Sequence, residues 1–189
     1  KNKTRLSQIL GTNAATFSPN FQYFINTFST ASQPTIYSLN ESKTGKQIQV
    51  IENNEALATK LKEYNLPQKE FFVLKTEKGN ELNAWIMKPK DFDSSKKYPV
   101  FMYQYSGPGS QQVNNEWGSY DDYWFAMLAQ QGYIVACVDG RGTGYKGAAF
   151  KKVTYKELGK YEVEDQIDAA KVIGNYPYVD KSRIGIWGW

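Results

Sequence analysis

One stretch restricts the fold more than any other: Tyr133-Ile134-Val135-Ala136-Cys137-Val138-Asp139. Side chains alternate between the two faces of a strand, and here both faces are apolar. Such a strand must be covered on both sides, which fits a central parallel strand of an α/β sheet. The neighbouring sequence supplies the cover. Before it, an aromatic-rich helix spans about Glu116 to Gln131, with Trp117, Tyr120 or Trp124, Met127 and Leu128 on its apolar side, and Gly132 ends it. After it, a second helix starts near Glu162, where Val163, Ile167, Ala170 and Ile173 follow helical spacing and Glu162, Glu164 and Asp165 suit the positive helix start.

Other strands complete the set. Glu70 to Thr76 and Leu82 to Met87 flank a Lys78-Gly79-Asn80 turn and form a hairpin by spacing. Tyr98 to Tyr105 is a third strand, and Arg183-Ile184-Gly185-Ile186-Trp187-Gly188-Trp189 reads as a last short buried one. A hairpin followed by strand, helix, strand, helix, strand indicates an α/β sheet with crossover helices.

The N-terminal part follows a different rule. Ala14 to Phe17, Tyr23 to Ser29, Thr35 to Leu39 and Gln47 to Ile51 are short strands separated by polar turns, the spacing of one β-propeller blade. One blade cannot bury both its faces alone. Asn53 or Asn54 can then cap a helix to about Tyr64, with Leu57, Leu61 and Tyr64 as its apolar side, and Asn65-Leu66-Pro67 ends it. The reading therefore separates a blade-like part, 1–52, from an α/β part, 68–189, with 53–67 as a linker helix between them.

The 189 residues carry a formal charge of +4, with lysines scattered among acids and forming no stripe, which argues against nucleic-acid binding. No run is long and apolar enough to span a membrane. The lone cysteine, Cys137, sits in the apolar run and reads as a buried, inert thiol. A start at Lys1 implies processing or truncation, so the lack of a leader excludes nothing. The chain has no histidine. A serine hydrolase with the usual base would have to find it beyond Trp189.

Three motifs bear on chemistry. The last strand leads into Gly188-Trp189, the first two positions of the Gly-x-Ser-x-Gly nucleophile elbow of α/β-hydrolases, whose serine would come next. Tyr105-Ser106-Gly107-Pro108-Gly109 ends the third strand, and in α/β-hydrolases the loop there supplies part of the oxyanion hole. A phenol at Tyr105 can donate to a developing oxyanion, and the plain alternative is a tyrosine packed at a sheet edge. Gly142-Thr143-Gly144-Tyr145-Lys146-Gly147 satisfies G-x-G-x-x-G after a strand. The residues that follow lack a clear apolar helical face, so a structural glycine-rich turn is preferred to a dinucleotide site, and no cofactor or metal is expected.

Several segments together resemble the dipeptidyl peptidase IV branch of the prolyl oligopeptidase family over nearly the whole chain. They are Ala15-Thr16-Phe17-Ser18-Pro19-Asn20-Phe21, Lys96-Lys97-Tyr98-Pro99, Tyr105-Ser106-Gly107-Pro108, Asp139-Gly140-Arg141-Gly142-Thr143-Gly144-Tyr145, Glu162-Val163-Glu164-Asp165-Gln166 and Ile186-Trp187-Gly188-Trp189. The family's elbow reads Trp-Gly-Trp-Ser-Tyr-Gly-Gly. The resemblance implies the first half of an α/β-hydrolase sheet preceded by the last propeller blade, in a serine exopeptidase that releases X-Pro or X-Ala dipeptides from peptide N-termini. It makes Tyr105 the oxyanion tyrosine, has Trp189 precede the nucleophile and shape the elbow, and gives Arg141 a bracing role. The triad acid and base would follow the elbow, and the amine-binding glutamates would precede Lys1. Export and homodimers are usual in the family, and Asn2-Lys3-Thr4 and Asn40-Glu41-Ser42 could be sequons only in a eukaryote. A different class stays open: a catalytically silent relative that acts as an interaction protein.

Overall fold

The computed structural model describes residues 3–7, 9–119 and 121–188. It divides into two compact units, Lys1–Leu66 with Asn114–Tyr120, and Pro67–Val113 with Asp121–Trp189.

In the first unit, β1 (Thr12–Phe17), β2 (Tyr23–Thr30), β3 (Gln33–Glu41) and β4 (Gln47–Glu52) pair antiparallel in chain order. Phe24 is buried, while Ile48, Val50 and Ile51 of β4 are exposed. Segment 114–120 is bound to these strands. The Asn115 carbonyl accepts from Thr12 Oγ1 (3.0 Å), its side-chain oxygen accepts the Ala31 N–H (2.9 Å), and the Trp117 N–H donates to Ser29 Oγ (3.1 Å).

Helix α1 (Glu55–Tyr64) starts where Asn53 Oδ1 accepts the Glu55 N–H at 3.0 Å. Asn54 takes a left-handed backbone (φ 51°) and donates its side-chain N–H to the Thr35 carbonyl at 2.6 Å. The proposed apolar side of α1 is not buried: no residue of the helix is, and Leu57 and Tyr64 are exposed.

The second unit is a five-stranded sheet in the order β5-β6-β8-β7-β9, where β5 is Glu70–Lys75, β6 Glu81–Met87, β7 Tyr98–Gln104, β8 Ile134–Asp139 and β9 Val179–Gly188. The β5–β6 and β6–β8 pairs are antiparallel, and β8, β7 and β9 run parallel. Every residue of the central β8 is buried, as its two apolar faces require. Period-two alternation then sorts the side chains. Leu82, Ala84, Ile86, Val100, Met102, Ile134, Ala136 and Val138 share one core cluster with Ala169 and Ile173 of α4 (Lys160–Gly174). The intervening positions build an aromatic layer with α2 (Asp122–Gln130). Trp85 and Tyr103 meet Phe125 at 5.6 and 5.0 Å between ring centroids, and Trp124 meets Phe101 and Trp187 at 5.2 and 5.3 Å.

Both helices depart from their expected form. Helix α2 begins at Asp122, after the segment bound to the first unit, and buries Phe125, Ala126 and Ala129; Trp117 lies before it. The Tyr120 reading lies outside the described residues. Helix α4 buries Glu162, Asp165, Gln166, Asp168, Ala169 and Ile173, while Val163 and Ile167 stay more than half exposed. The displaced stripe has a place: Val163, Ile167 and Ala170 line an open groove of about 970 Å³ with Met102, Ile184 and Ile186. Strand β9 is the sheet's edge there, with Ile186 and Trp187 exposed. No helix among the described residues is long and apolar enough to cross a membrane.

Candidate active site at the strand ends

Strands β7, β8 and β9 point their carboxyl ends the same way, and the chain leaves β7 toward β8 on one side and β8 toward β9 on the other. Ligands of open α/β sheets bind beyond such a switch point. Three segments meet there: the loop after β7, the loop after β8, and the tip of β9.

The tip of β9 is shaped by one residue. Gly188 pairs with Gln104, and its φ of 131° lies outside the range of ordinary side chains. A Cβ at Gly188 would overlap the Gln104 carbonyl, so only glycine lets the two strands approach here. Tyr105 follows Gln104 directly and is 45% exposed. The phenol-bearing residue and the strand tip are thus neighbours in the pairing register. Trp189 lies outside the described residues.

The loop after β7 is tied down at several points. Ser110 donates its N–H (3.3 Å) and its hydroxyl (3.0 Å) to the Gly107 carbonyl, and the Ser110 carbonyl accepts the Gly144 N–H at 3.0 Å, joining this loop to the one after β8. At its far end, the Asp139 carboxylate accepts the N–H groups of Gln112 and Val113, each at 3.0 Å. Asp139 is buried, and burial raises its pKa above the usual carboxylate value even though the two amides pull it down.

The loop after β8 is braced by an ion cluster. Arg141 donates its backbone N–H to Asp165 Oδ2 at 2.6 Å, and its guanidinium reaches Asp165 Oδ1 at 2.8 Å and Glu164 Oε2 at 2.5 Å. The Arg141 guanidinium lies 4.7 Å from the Tyr161 ring centroid. The Asp165 side chain is wholly buried, and its hydrogen bonds are the main cause that raises the Arg141 pKa. Lys78 also pairs with Glu164, holding the Glu164 carboxyl below its ordinary pKa, with Arg141 acting the same way. At the start of α4, the Glu162 carboxylate accepts the Gly159 N–H at 3.0 Å. These bonds tie Arg141, and with it the loop after β8, to α4.

The glycine-rich run does not open a long helix. Gly142 has φ 103° and donates its N–H to the Phe150 carbonyl at 3.0 Å, and a Cβ there would come within 2.7 Å of Thr154 Cγ2. The helix that follows, α3 (Ala148–Lys152), has five residues and no buried side chain, too short for the crossover of a dinucleotide-binding unit. Cys137 is fully buried on the α2 face, and burial pushes its thiol pKa well up. The Asp139 and Asp165 anchors were not read from the sequence. Asp165 passed as a partner of the helix dipole, and Asp139 binds backbone amides 26 and 27 residues away, which leave no side-chain pattern.

Sheet order and strand-end loops define an α/β protein, a class in which ligands bind beyond the carboxyl ends of the parallel strands. Comparison with known proteins narrows the class. Residues 119–189 match the model of the prolyl oligopeptidase family. The chain is 40% identical over 178 residues to dipeptidyl peptidase 4 of Trichophyton equinum, an alignment covering 93% of this chain and 23% of that protein. It is 40% identical over 177 residues to dipeptidyl peptidase 4 of Trichophyton rubrum, covering 92% of this chain and 23% of that one. Among solved structures, the crystal structure of Porphyromonas gingivalis dipeptidyl peptidase 4 superposes with a TM-score of 0.95 and 53% identity, over 100% of this chain and 26% of that one. The chain belongs to the prolyl oligopeptidase family and is similar to its dipeptidyl peptidase IV members. It spans about a quarter of the length of these relatives.

Proposed function

We propose that this chain is part of a serine exopeptidase that releases X-Pro or X-Ala dipeptides from peptide N-termini. Residues 1–52 are read as the last blade of a β-propeller, 53–67 as a linker helix and 68–189 as the first half of an α/β-hydrolase domain, with segment 114–120 returning to the first unit. The exposed apolar side chains of β4 support the blade reading, since a blade packs between neighbours. The nucleophile serine is taken to follow Trp189, with the acid and base further on.

In this reading the serine oxygen attacks the carbonyl carbon of the second residue of the peptide. The carbonyl oxygen takes up negative charge, and the Tyr105 hydroxyl donates a hydrogen bond to it. The base further on takes the serine proton and passes it to the leaving nitrogen, so collapse breaks the C–N bond, expels the remaining peptide as an amine and leaves the dipeptide as an ester on the serine, which water then hydrolyses. The observation that carries this is the pairing of Gly188 with Gln104, one residue before Tyr105. The chain itself holds no histidine, so the segment alone has no base of the usual kind.

The test is hydrolysis of Gly-Pro-p-nitroanilide by the full-length protein and its inactivation by diisopropyl fluorophosphate. Cleavage lost on modification of a serine directly after Trp189 is the expected result. An intact protein that leaves the substrate uncut would overturn the reading and favour a silent relative.

A further inference from the structure

Resting on that reading, we propose that Asp139 is a positioning residue for Tyr105: its buried carboxylate holds the return end of the loop that carries the phenol. The loop runs from Tyr105, at the end of β7, to Val113, and its inner turn is fixed by the Gly107–Ser110 hydrogen bonds. Its far end is held at Gln112 by three side chains. Asp139 Oδ1 and Oδ2 accept the Gln112 N–H at 3.0 and 3.2 Å, Trp85 Nε1 donates to the Gln112 carbonyl at 3.2 Å, and the Tyr103 hydroxyl donates to Gln112 Oε1 at 3.2 Å.

These anchors are themselves rigid. Trp85 is 1% exposed, packs on Phe125 and lies under Lys69, whose ammonium is 5.0 Å from the indole centroid and 2.6 Å from Asp122. A carboxylate suits the place better than an amide, because both its oxygens accept. Asparagine with its oxygen toward Val113 would set an NH2 group against the Gln112 N–H, donor facing donor. A loop pinned at both ends restricts where the Tyr105 hydroxyl can sit, and oxyanion stabilisation depends on that placement being set before reaction.

The experiment compares kcat and KM for Gly-Pro-p-nitroanilide in the full-length protein carrying Asp139→Asn, Tyr105→Phe, or both. Asp139→Asn should lower kcat roughly 10-fold with KM within about threefold, a smaller loss than removal of the donor itself. In the Tyr105→Phe background the same change should alter kcat less than about threefold, because its route of action is gone. A purely structural Asp139 would give the same factor in both backgrounds. That additivity, or an unchanged kcat, overturns the inference while leaving the proposed function intact. If Asp139→Asn yields no folded protein, Tyr103→Phe takes its place: a few-fold loss that vanishes in the Tyr105→Phe background supports the loop anchor, and an equal loss in both overturns it. Lack of cleavage by the unmodified protein overturns the function and this inference together.

Discussion

Removing the Asp165 carboxylate should free the loop after β8 without unfolding the sheet. Asp165→Ala deletes the acceptor of the Arg141 backbone N–H and of two guanidinium nitrogens, Nε at 3.0 Å and Nη2 at 2.8 Å. Breaking a buried ion pair by removing one partner costs about 3–5 kcal/mol. Arg141 keeps Glu164, its contact with the Tyr161 ring and some solvent access, its side chain being 17% exposed, so the low end of about 3 kcal/mol applies. The chain forms two compact units, so a local readout suits better than a global melt. Hydrogen exchange of peptides from 139–147 in the full-length protein should quicken by roughly 10²-fold, while β8 stays protected. The double change Asp165→Leu with Arg141→Met should cost less than the single one, since no charge is left stranded. Exchange within threefold of the unmodified protein, or a double variant as mobile as the single, would refute the brace.

Two further outcomes follow from the edge strand. Asp180 accepts from Ser182 and Arg183, and these bonds lower its pKa to about 2 from an ordinary 3.8. A depressed carboxylate stabilises the fold above the unfolded value and loses that effect as pH falls through the folded one. Asp180→Ala should therefore lower the melting temperature at neutral pH, and the gap to the unmodified protein should close as pH falls from about 4 toward 2; a constant gap in differential scanning calorimetry would contradict it. Gly188→Ala forces a side chain into the Gln104 carbonyl at φ 131°, and strain of about 1–3 kcal/mol should appear as earlier urea unfolding of β9; an unchanged midpoint would show that the strand tip yields freely.

Much of the sheet was legible because a strand covered on both faces reads as an unbroken apolar run, as the seamless burial of Ile134 to Asp139 shows. Helix faces were harder. The buried side of α4 holds Glu162, Asp165 and Gln166 because each meets a local demand. Glu162 takes the Gly159 N–H, Asp165 takes Arg141, and Gln166 Nε2 donates to the Val138 carbonyl at 2.8 Å. Val163 and Ile167 instead face the groove beside β9, while Ile173 of the same stripe is buried, so a rule that equates apolar with buried held for only part of the helix. The start of α2 moved because Asn115 and Trp117 spend their hydrogen-bonding groups on β1, β2 and the turn after β2. Tyr105 was legible as the end of a strand, whereas its loop's anchor was not, since Asp139 binds main-chain groups that every residue type presents.

The most direct measurement is steady-state kinetics of Tyr105→Phe in the full-length protein on a Gly-Pro chromogenic substrate. Loss of one oxyanion donor predicts a fall in kcat of roughly 10²–10³-fold with KM little changed. A variant that turns over at the normal rate, or that differs only in KM, would contradict the role given to the phenol at the end of β7.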